Sequence, residues 1–356
     1  MLPFYNEQFG NPSSAHRWGR EARAALEAAR ERVASTLGAK RSEIVFTSGG
    51  TEADNIAILG RAQAGSMLAC SAIEHKAVLA AVKAATHEGA TAIIIAVDHH
   101  GLIDMAALHQ ALEQRPAVVA VMWVNNEVGT VQPIEQIATL CAQANVPLHT
   151  DAIQAFGRVN VRVLDGISSI ALSGHKIGAP KGVGALYVRN GSDVHSRQHG
   201  GAQERGIRPG TENVAYAVGF AVAAEMTARE QQSEAARLSG LRDELQQTLK
   251  TQITDLIVNG ESAPRAPHIL NVSLRGIEQD ALLVSLDMEG IAVSTASACQ
   301  SGAAEPSHVL VAMGRGAQDE AALRLSLGRT TTKEDIDYVG EKLPMIIERI
   351  RQYANA

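Results

Sequence analysis

Cysteine and aromatic side chains are both scarce in this chain. Only three of its 356 residues are cysteine, and aromatics make up 3 %. Cys70, Cys141 and Cys299 are odd in number and widely spaced. They give neither a disulfide framework nor a zinc signature, so reduced thiols in the cytoplasm are the expected state. No apolar run reaches the roughly 18–20 residues that span a bilayer, which removes the membrane class. The opening Met1-Leu2-Pro3-Phe4-Tyr5-Asn6-Glu7 lacks the charged and apolar regions of a secretion signal. Charge of one sign is also missing: 32 basic against 38 acidic residues leave a net −6, no footprint for direct nucleic-acid binding. No Gly-x-Gly-x-x-Gly follows the first strand, which argues against a dinucleotide-binding dehydrogenase. His99-His100 is an isolated pair without partners at ligand spacing, so no metal site is expected.

What the chain does contain is a long alternation of apolar runs and amphipathic stretches. Trp18, Ala22, Leu26, Ala29, Val33 and Leu37 recur at helical spacing within about 15–37. Short apolar runs follow at 44–47, 67–70, 92–97, 118–124, 147–150, 169–172 and 185–188. Helical patterns separate the earlier ones. Strands that are apolar throughout, separated by helices, predict an α/β architecture with a parallel or mixed sheet covered by helices on both faces. A long Ala- and Glu-rich helix runs from Val214 to about Leu249, and a smaller α+β region follows. The expected division is an N-terminal segment 1–15, a large cofactor domain 16–230 and a small C-terminal domain 231–356 that carries Cys299.

Polar residues fall where such strands end, which is where open α/β sheets bind ligands. Ser173-Gly174-His175-Lys176 follows one strand and Asp151 another, with Gln154 close behind. A lysine amine can form a Schiff base with an aldehyde cofactor, and a carboxylate can hold a pyridine nitrogen protonated. Pyridoxal phosphate (PLP) chemistry needs both. Ser48-Gly49-Gly50-Thr51 is either a phosphate cradle at a helix start or a plain turn. His75 is either a ring that stacks on a planar cofactor or a helix-start residue. Asn126 sits in Asn125-Asn126-Glu127 after a further strand. Arg324 interrupts an apolar strand and calls for a partner, a substrate carboxylate or a structural acid. Cys299, among Ser297, Ser301, Gly302 and Ala303, has the setting of an exposed, reactive thiol. Cys70 and Cys141 lie in apolar patterns and read as buried.

Taken together, these segments resemble the cysteine desulfurases, PLP enzymes of the fold-type-I, class-V aminotransferase superfamily, in their nitrogen-fixation and iron–sulfur-assembly branch. The matching runs include Phe9 to Ser14, Thr47 to Asn55, Glu74-His75-Lys76, Asn125-Asn126-Glu127, Asp151 to Gln154 and Ser173 to Lys176. Gly210-Thr211-Glu212-Asn213, Ser297-Ala298-Cys299, Glu305 to Leu310 and Leu325 to Arg329 continue the match. The resemblance implies a large α/β domain with a mostly parallel seven-stranded sheet between helices and a smaller α+β C-terminal domain. It also implies that Lys176 carries PLP, that Asp151 pairs with the pyridine nitrogen, and that Gln154 bonds the ring hydroxyl. His75 would stack on the ring and move protons. Gly50, Thr51, Ser173 and His175 would hold the phosphate, joined by Thr211 from the second subunit of a homodimer. Asn126 and Arg324 would orient the carboxylate of L-cysteine. Cys299 would collect the sulfur as a persulfide, for an iron–sulfur scaffold or a thiolation enzyme. Two departures stand out. The family's Leu-Asp-x-x-Ala-Thr-Thr-Pro segment precedes the point where this chain starts, as for a start set at an internal methionine or a shortened variant. Gly178-Ala179 replaces the usual aromatic-Gly pair. The competing expectations are another fold-type-I PLP enzyme, a selenocysteine lyase or an aminotransferase, and an impaired desulfurase acting only through binding.

Overall fold

A computed structural model describes residues 1–295, 306–315 and 320–354. The chain divides into two compact units: 1–95, 105–123 and 133–231 form the first, and 96–104, 124–132 and 232–356 the second.

The first unit opens with a short helix α1 (Pro3–Asn6) and the long α2 (Arg17–Leu37). His16 caps α2 by accepting the Gly19 N–H at 3.2 Å, and Ala22, Leu26, Ala29, Val33 and Leu37 form its buried stripe. Beyond it come β1 (Ile44–Thr47), α3 (Gly50–Leu59), β2 (Met67–Ser71), α4 (Lys76–His87), β3 (Thr91–Ile95), α5 (Met105–Glu113) and β4 (Val118–Ala120). Then α6 (Ile134–Ala144), β5 (Leu148–Asp151), β6 (Ile167–Ser173) and β7 (Gly184–Val188) complete the sheet. Its order is β1-β7-β6-β5-β4-β2-β3. β6, β5, β4, β2 and β3 run parallel, and β7 pairs antiparallel with both β6 and β1. Six strands therefore share one direction. Every residue of β5 and β6 is buried, the mark of a sheet covered on both faces. Each such Leu or Ile contributes about 1.5–3 kcal/mol.

The apolar run at 118–124 reads as one strand, yet β4 ends at Ala120. The backbone stays tied to the next strand, since Val121 N–H bonds His149 O and Trp123 N–H bonds Asp151 O. Beyond Trp123 the hydrogen bonds change partner. Val131 N–H reaches Pro264 O and Ala266 N–H reaches Gly129 O. These bonds are why 124–132 groups with the second unit despite lying between two strands of the first.

Helix α7 (Val214–Gln252) begins in the first unit and ends in the second. The second unit then adds β8 (Ile257–Val258), β9 (Ile269–Arg275), α8 (Gln279–Met288), β10 (Ser294–Thr295), α9 (His308–Ala312), β11 (Glu320–Ser326) and α10 (Lys333–Ala354). Its four strands form an antiparallel sheet, β10-β11-β9-β8. Leu270, Val272, Leu274, Leu286, Leu323, Leu343 and Ile346 make its core.

Candidate active site

In the first unit, the ends of β1, β5 and β6 lie on one edge of the sheet because those strands share a direction. Gly184, the first residue of β7, pairs with Thr47 on one side and Ser173 on the other. The last residues of β1 and β6 thus flank a glycine. A Cβ at Gly184 would stand 2.5 Å from Leu172 O and 2.8 Å from Gly49 Cα. Only the bare backbone lets the Gly49 turn approach this closely.

That turn starts α3, and no side chain caps it. The first N–H groups of a helix have no internal acceptors and sit at the positive end of its dipole. A Cβ on Gly50 would collide with the Ile153 side chain. Ser173, buried at the end of β6, bonds His175 Nδ1 through its hydroxyl at 2.9 Å. Thr51 and His175 are exposed. Burial lowers the His175 pKa, aided by the charges of Lys176 and Lys181. Uncapped N–H groups, hydroxyls and nearby ammonium charge together suit a phosphate.

Asp151 closes β5 and is buried, its Oδ1 accepting the Ile153 N–H at 2.8 Å. Burial pushes its carboxyl well above the usual range, with Asp54 adding to the rise. The Ile153 N–H, His149 and Lys176 oppose it. A carboxyl so placed gains most from a cation brought against it, and a protonated pyridine is one. Lys176 is exposed in the 3₁₀ turn Gly174–Ile177 that leaves β6. Gln154 is half-buried. His75 is half-buried and caps α4, its Nδ1 accepting the Ala77 N–H at 3.1 Å. A neutral ring therefore carries its proton on Nε2. The helix-start reading of His75 holds, and the residue lies four positions past the end of β2.

Thr211 is exposed, while its neighbours are tied down. Glu212 pairs with Arg23 at 3.3 Å, and Arg208 pairs with Glu52 at 2.9 Å. In the second unit, Arg324 on β11 stands opposite Asn271 and Ser294. Its Nη1 donates to Asn126 O at 2.8 Å and its Nη2 to Ser294 Oγ at 3.1 Å. Its buried Nε has no hydrogen-bond partner among the described residues. The Asn125 carboxamide accepts the Glu127 and Val128 N–H groups at 2.9 Å each, which fixes the turn around Asn126. The partner of Arg324 is thus a backbone carbonyl and a hydroxyl, and no acid lies at salt-bridge distance among the described residues. Cys299 falls outside the described residues. Cys70 and Cys141 are buried, and burial pushes both thiols up to about 12, with Glu74 adding to the Cys70 shift.

Sequence reasoning missed a buried polar group beside Asp151. His149, two residues earlier on β5, bonds Asp54 on α3 at 3.1 Å and Ser169 on β6 at 3.0 Å. The i, i+2 spacing to Asp151 places both side chains on one face of the strand. That spacing was visible in the sequence; the partners were not.

A mostly parallel sheet with a lysine turn, a buried aspartate and an uncapped helix start on one edge is the arrangement expected of a fold-type-I, class-V aminotransferase. The aminotransferase class-V family pattern matches residues 1–339. A protein of Dictyoglomus turgidum named cysteine desulfurase IscS is 42% identical over 99% of this chain and 91% of its own length. A solved NifS-like protein superposes with a TM-score of 0.87 at 34% identity, covering 98% of this chain and 94% of that one. A structure described as SspA in complex with cysteine gives a TM-score of 0.76 at 35% identity over 91% and 92% of the two chains. The chain belongs to the cysteine desulfurases, an enzyme family that works with PLP.

Proposed function

We propose that the chain converts L-cysteine to L-alanine and takes the sulfur onto Cys299 as a persulfide. The observation that carries this reading is the convergence of Asp151, Ser173, Lys176 and the uncapped start of α3 on one sheet edge. PLP, when bound, supplies an electron sink that weakens bonds at the substrate's α-carbon. Lys176 would hold it through its amine. Asp151 would keep the pyridine nitrogen protonated and Gln154 would bond the ring hydroxyl. Gly50, Thr51, Ser173 and His175 would hold the phosphate, with Thr211 of a second copy. His75 would cover the ring and pass protons through Nε2. Asn126 and Arg324 orient the substrate carboxylate, for which Arg324 keeps a donor at Nε.

The Cys299 thiolate attacks the substrate sulfur. The S–S bond forms as the Cβ–S bond breaks, and a proton completes the alanine methyl group. Substrate and thiol together balance alanine and persulfide, with no outside oxidant. The other two cysteines are too deeply buried to compete. The acceptor of the sulfur is an iron–sulfur scaffold or a thiolation enzyme in the cytoplasm, and the working unit is a homodimer.

Alanine release from L-cysteine by the PLP-loaded protein, with dithiothreitol as acceptor, tests the assignment. Cys299→Ala and Lys176→Ala are each expected to abolish turnover. Full activity in Cys299→Ala would favour a plain PLP enzyme that has no use for the thiol.

A further inference from the structure

Asp54 lies one turn into α3, on the face away from solvent, and is fully buried. Its Oδ1 meets His149 Nε2 at 3.1 Å. His149 Nδ1 meets Ser169 Oγ at 3.0 Å. Arg61, just past the end of α3, reaches Ser169 Oγ through Nη1 at a longer 3.4 Å and Ser168 Oγ through Nη2 at 3.2 Å. The same Nη1 donates to Ala57 O at 2.8 Å, and Ser168 donates to Leu148 O at 2.8 Å. The chain of bonds thus leaves α3 near its start, crosses β5 and β6, and returns through Arg61, just past the end of α3, to Ala57 in its last turn.

The polarity of the chain follows from its ends. Asp54 Oδ2 is buried and has no hydrogen-bond partner among the described residues. An ionised carboxylate would leave that oxygen uncompensated, whereas a carboxylic acid leaves only a carbonyl oxygen there. The proton then sits on Oδ1 and points to Nε2, and Nδ1–H donates to Ser169. Arg61 is the cation at the far end. His149 stays neutral: its pKa is pushed down to about 3 by burial and by Arg61.

We propose that Asp54, His149, Ser169 and Arg61 form a positioning device that fixes the spacing between the phosphate end and the pyridine end of the cofactor site. The start of α3 is the phosphate end. Asp151, two residues past His149 on the same strand face, is the pyridine end, and Ser169 lies on the strand that leads to Lys176. A ligand held at both ends gains affinity only when the two subsites stay at its own length. Loosening the tie between α3 and β5 penalises the whole ligand more than either half. This inference rests on the assignment of Asp151 and the α3 start made above.

Equilibrium binding to the full-length apoprotein separates the cases, with PLP, pyridoxal and inorganic phosphate as probes. Asp54→Leu and His149→Leu break the chain at similar volume. Each is expected to weaken PLP binding about tenfold or more, the loss of roughly one buried hydrogen bond. Pyridoxal and phosphate should change by no more than about twofold to threefold. Asp54→Asn, whose amide N–H replaces the acid O–H, should bind PLP as the wild type does. Wild-type PLP affinity in both leucine variants, or equal losses for PLP and its two halves, would overturn the proposal. Should the leucine variants fail to fold by circular dichroism, Ser169→Ala carries the same prediction, and unchanged PLP binding there would overturn it equally. Asp151→Asn is the control: wild-type PLP binding in that variant sinks the underlying site assignment instead.

Discussion

His149 is a residue whose ionisation the fold strongly constrains. Its pKa falls from 6.5 to about 3 because burial disfavours the charged ring. Between those values the unfolded chain holds a proton that the folded chain refuses. The unfolded state then binds more protons, so stability drops as pH drops, by up to about 1.4 kcal/mol per pH unit. Asp54, Glu74 and Asp151 work in the opposite sense. Their carboxyls are raised by burial, so each loses stability as pH rises through its folded value. In His149→Gln the contribution of His149 to the acid-side slope should disappear. Urea unfolding at pH 6 and pH 4 should show the wild type losing about 1–3 kcal/mol more than the variant over that interval. Parallel slopes would mean that another group carries the acid sensitivity. The histidine stood in plain view before Asp151 in the sequence. Its role was hidden because Asp54, its partner, is 95 residues away.

At the scale of elements, the site depends on how closely the α3 turn can approach β7. Gly184 leaves no room for a methyl group, and the atoms it would strike are backbone, which cannot rotate aside. Gly184→Ala is therefore expected to cost about 1–3 kcal/mol through overpacking. A thermal melt of the apoprotein measures this cost, and PLP affinity should fall with it as Gly49 and Ser173 are pushed apart. An unchanged melting temperature would show that the turn has slack. The strands and helices around this turn were legible from apolar runs and their period. β1 and α3 fall at the expected places because a turn and a glycine pair bound them, and β5 runs one residue later than expected, taking in Asp151. β4 was read too long. Its apolar run continues past the ladder because Val121 to Trp123 are buried too, and hydropathy cannot tell a paired residue from one that is merely covered.

At the scale of the whole molecule, Thr211 is an exposed hydroxyl in a segment anchored by Arg208–Glu52 and Arg23–Glu212. If it completes the phosphate site of a second copy, a PLP-binding variant and a lysine-less variant can repair one another at PLP concentrations too low to load Thr211→Ala alone. Thr211→Ala should weaken PLP binding about tenfold to a hundredfold, the usual worth of a hydrogen bond to a charged group. Mixed with Lys176→Ala, it should yield hybrid dimers with one intact site. Activity should return toward half the wild-type value per hybrid, with sedimentation confirming a dimer. No recovery on mixing exchangeable subunits would place Thr211 in its own subunit's site.

The sequence by itself determined that an α/β sheet forms, the order of its elements, and that Asp151, Ser173 and Lys176 follow or close its strands. Hydrophobic period and local turn chemistry are short-range properties, and the lysine, aspartate and glycine signals each occupy a few adjacent residues. The tertiary structure alone decided which strand pairs with which. It also decided that segments 96–104 and 124–132 group with the C-terminal unit, and that Asp54 meets His149. These depend on contacts between residues far apart in the chain, where hydrogen-bond satisfaction in the buried interior selects the partner and local pattern carries no record of it.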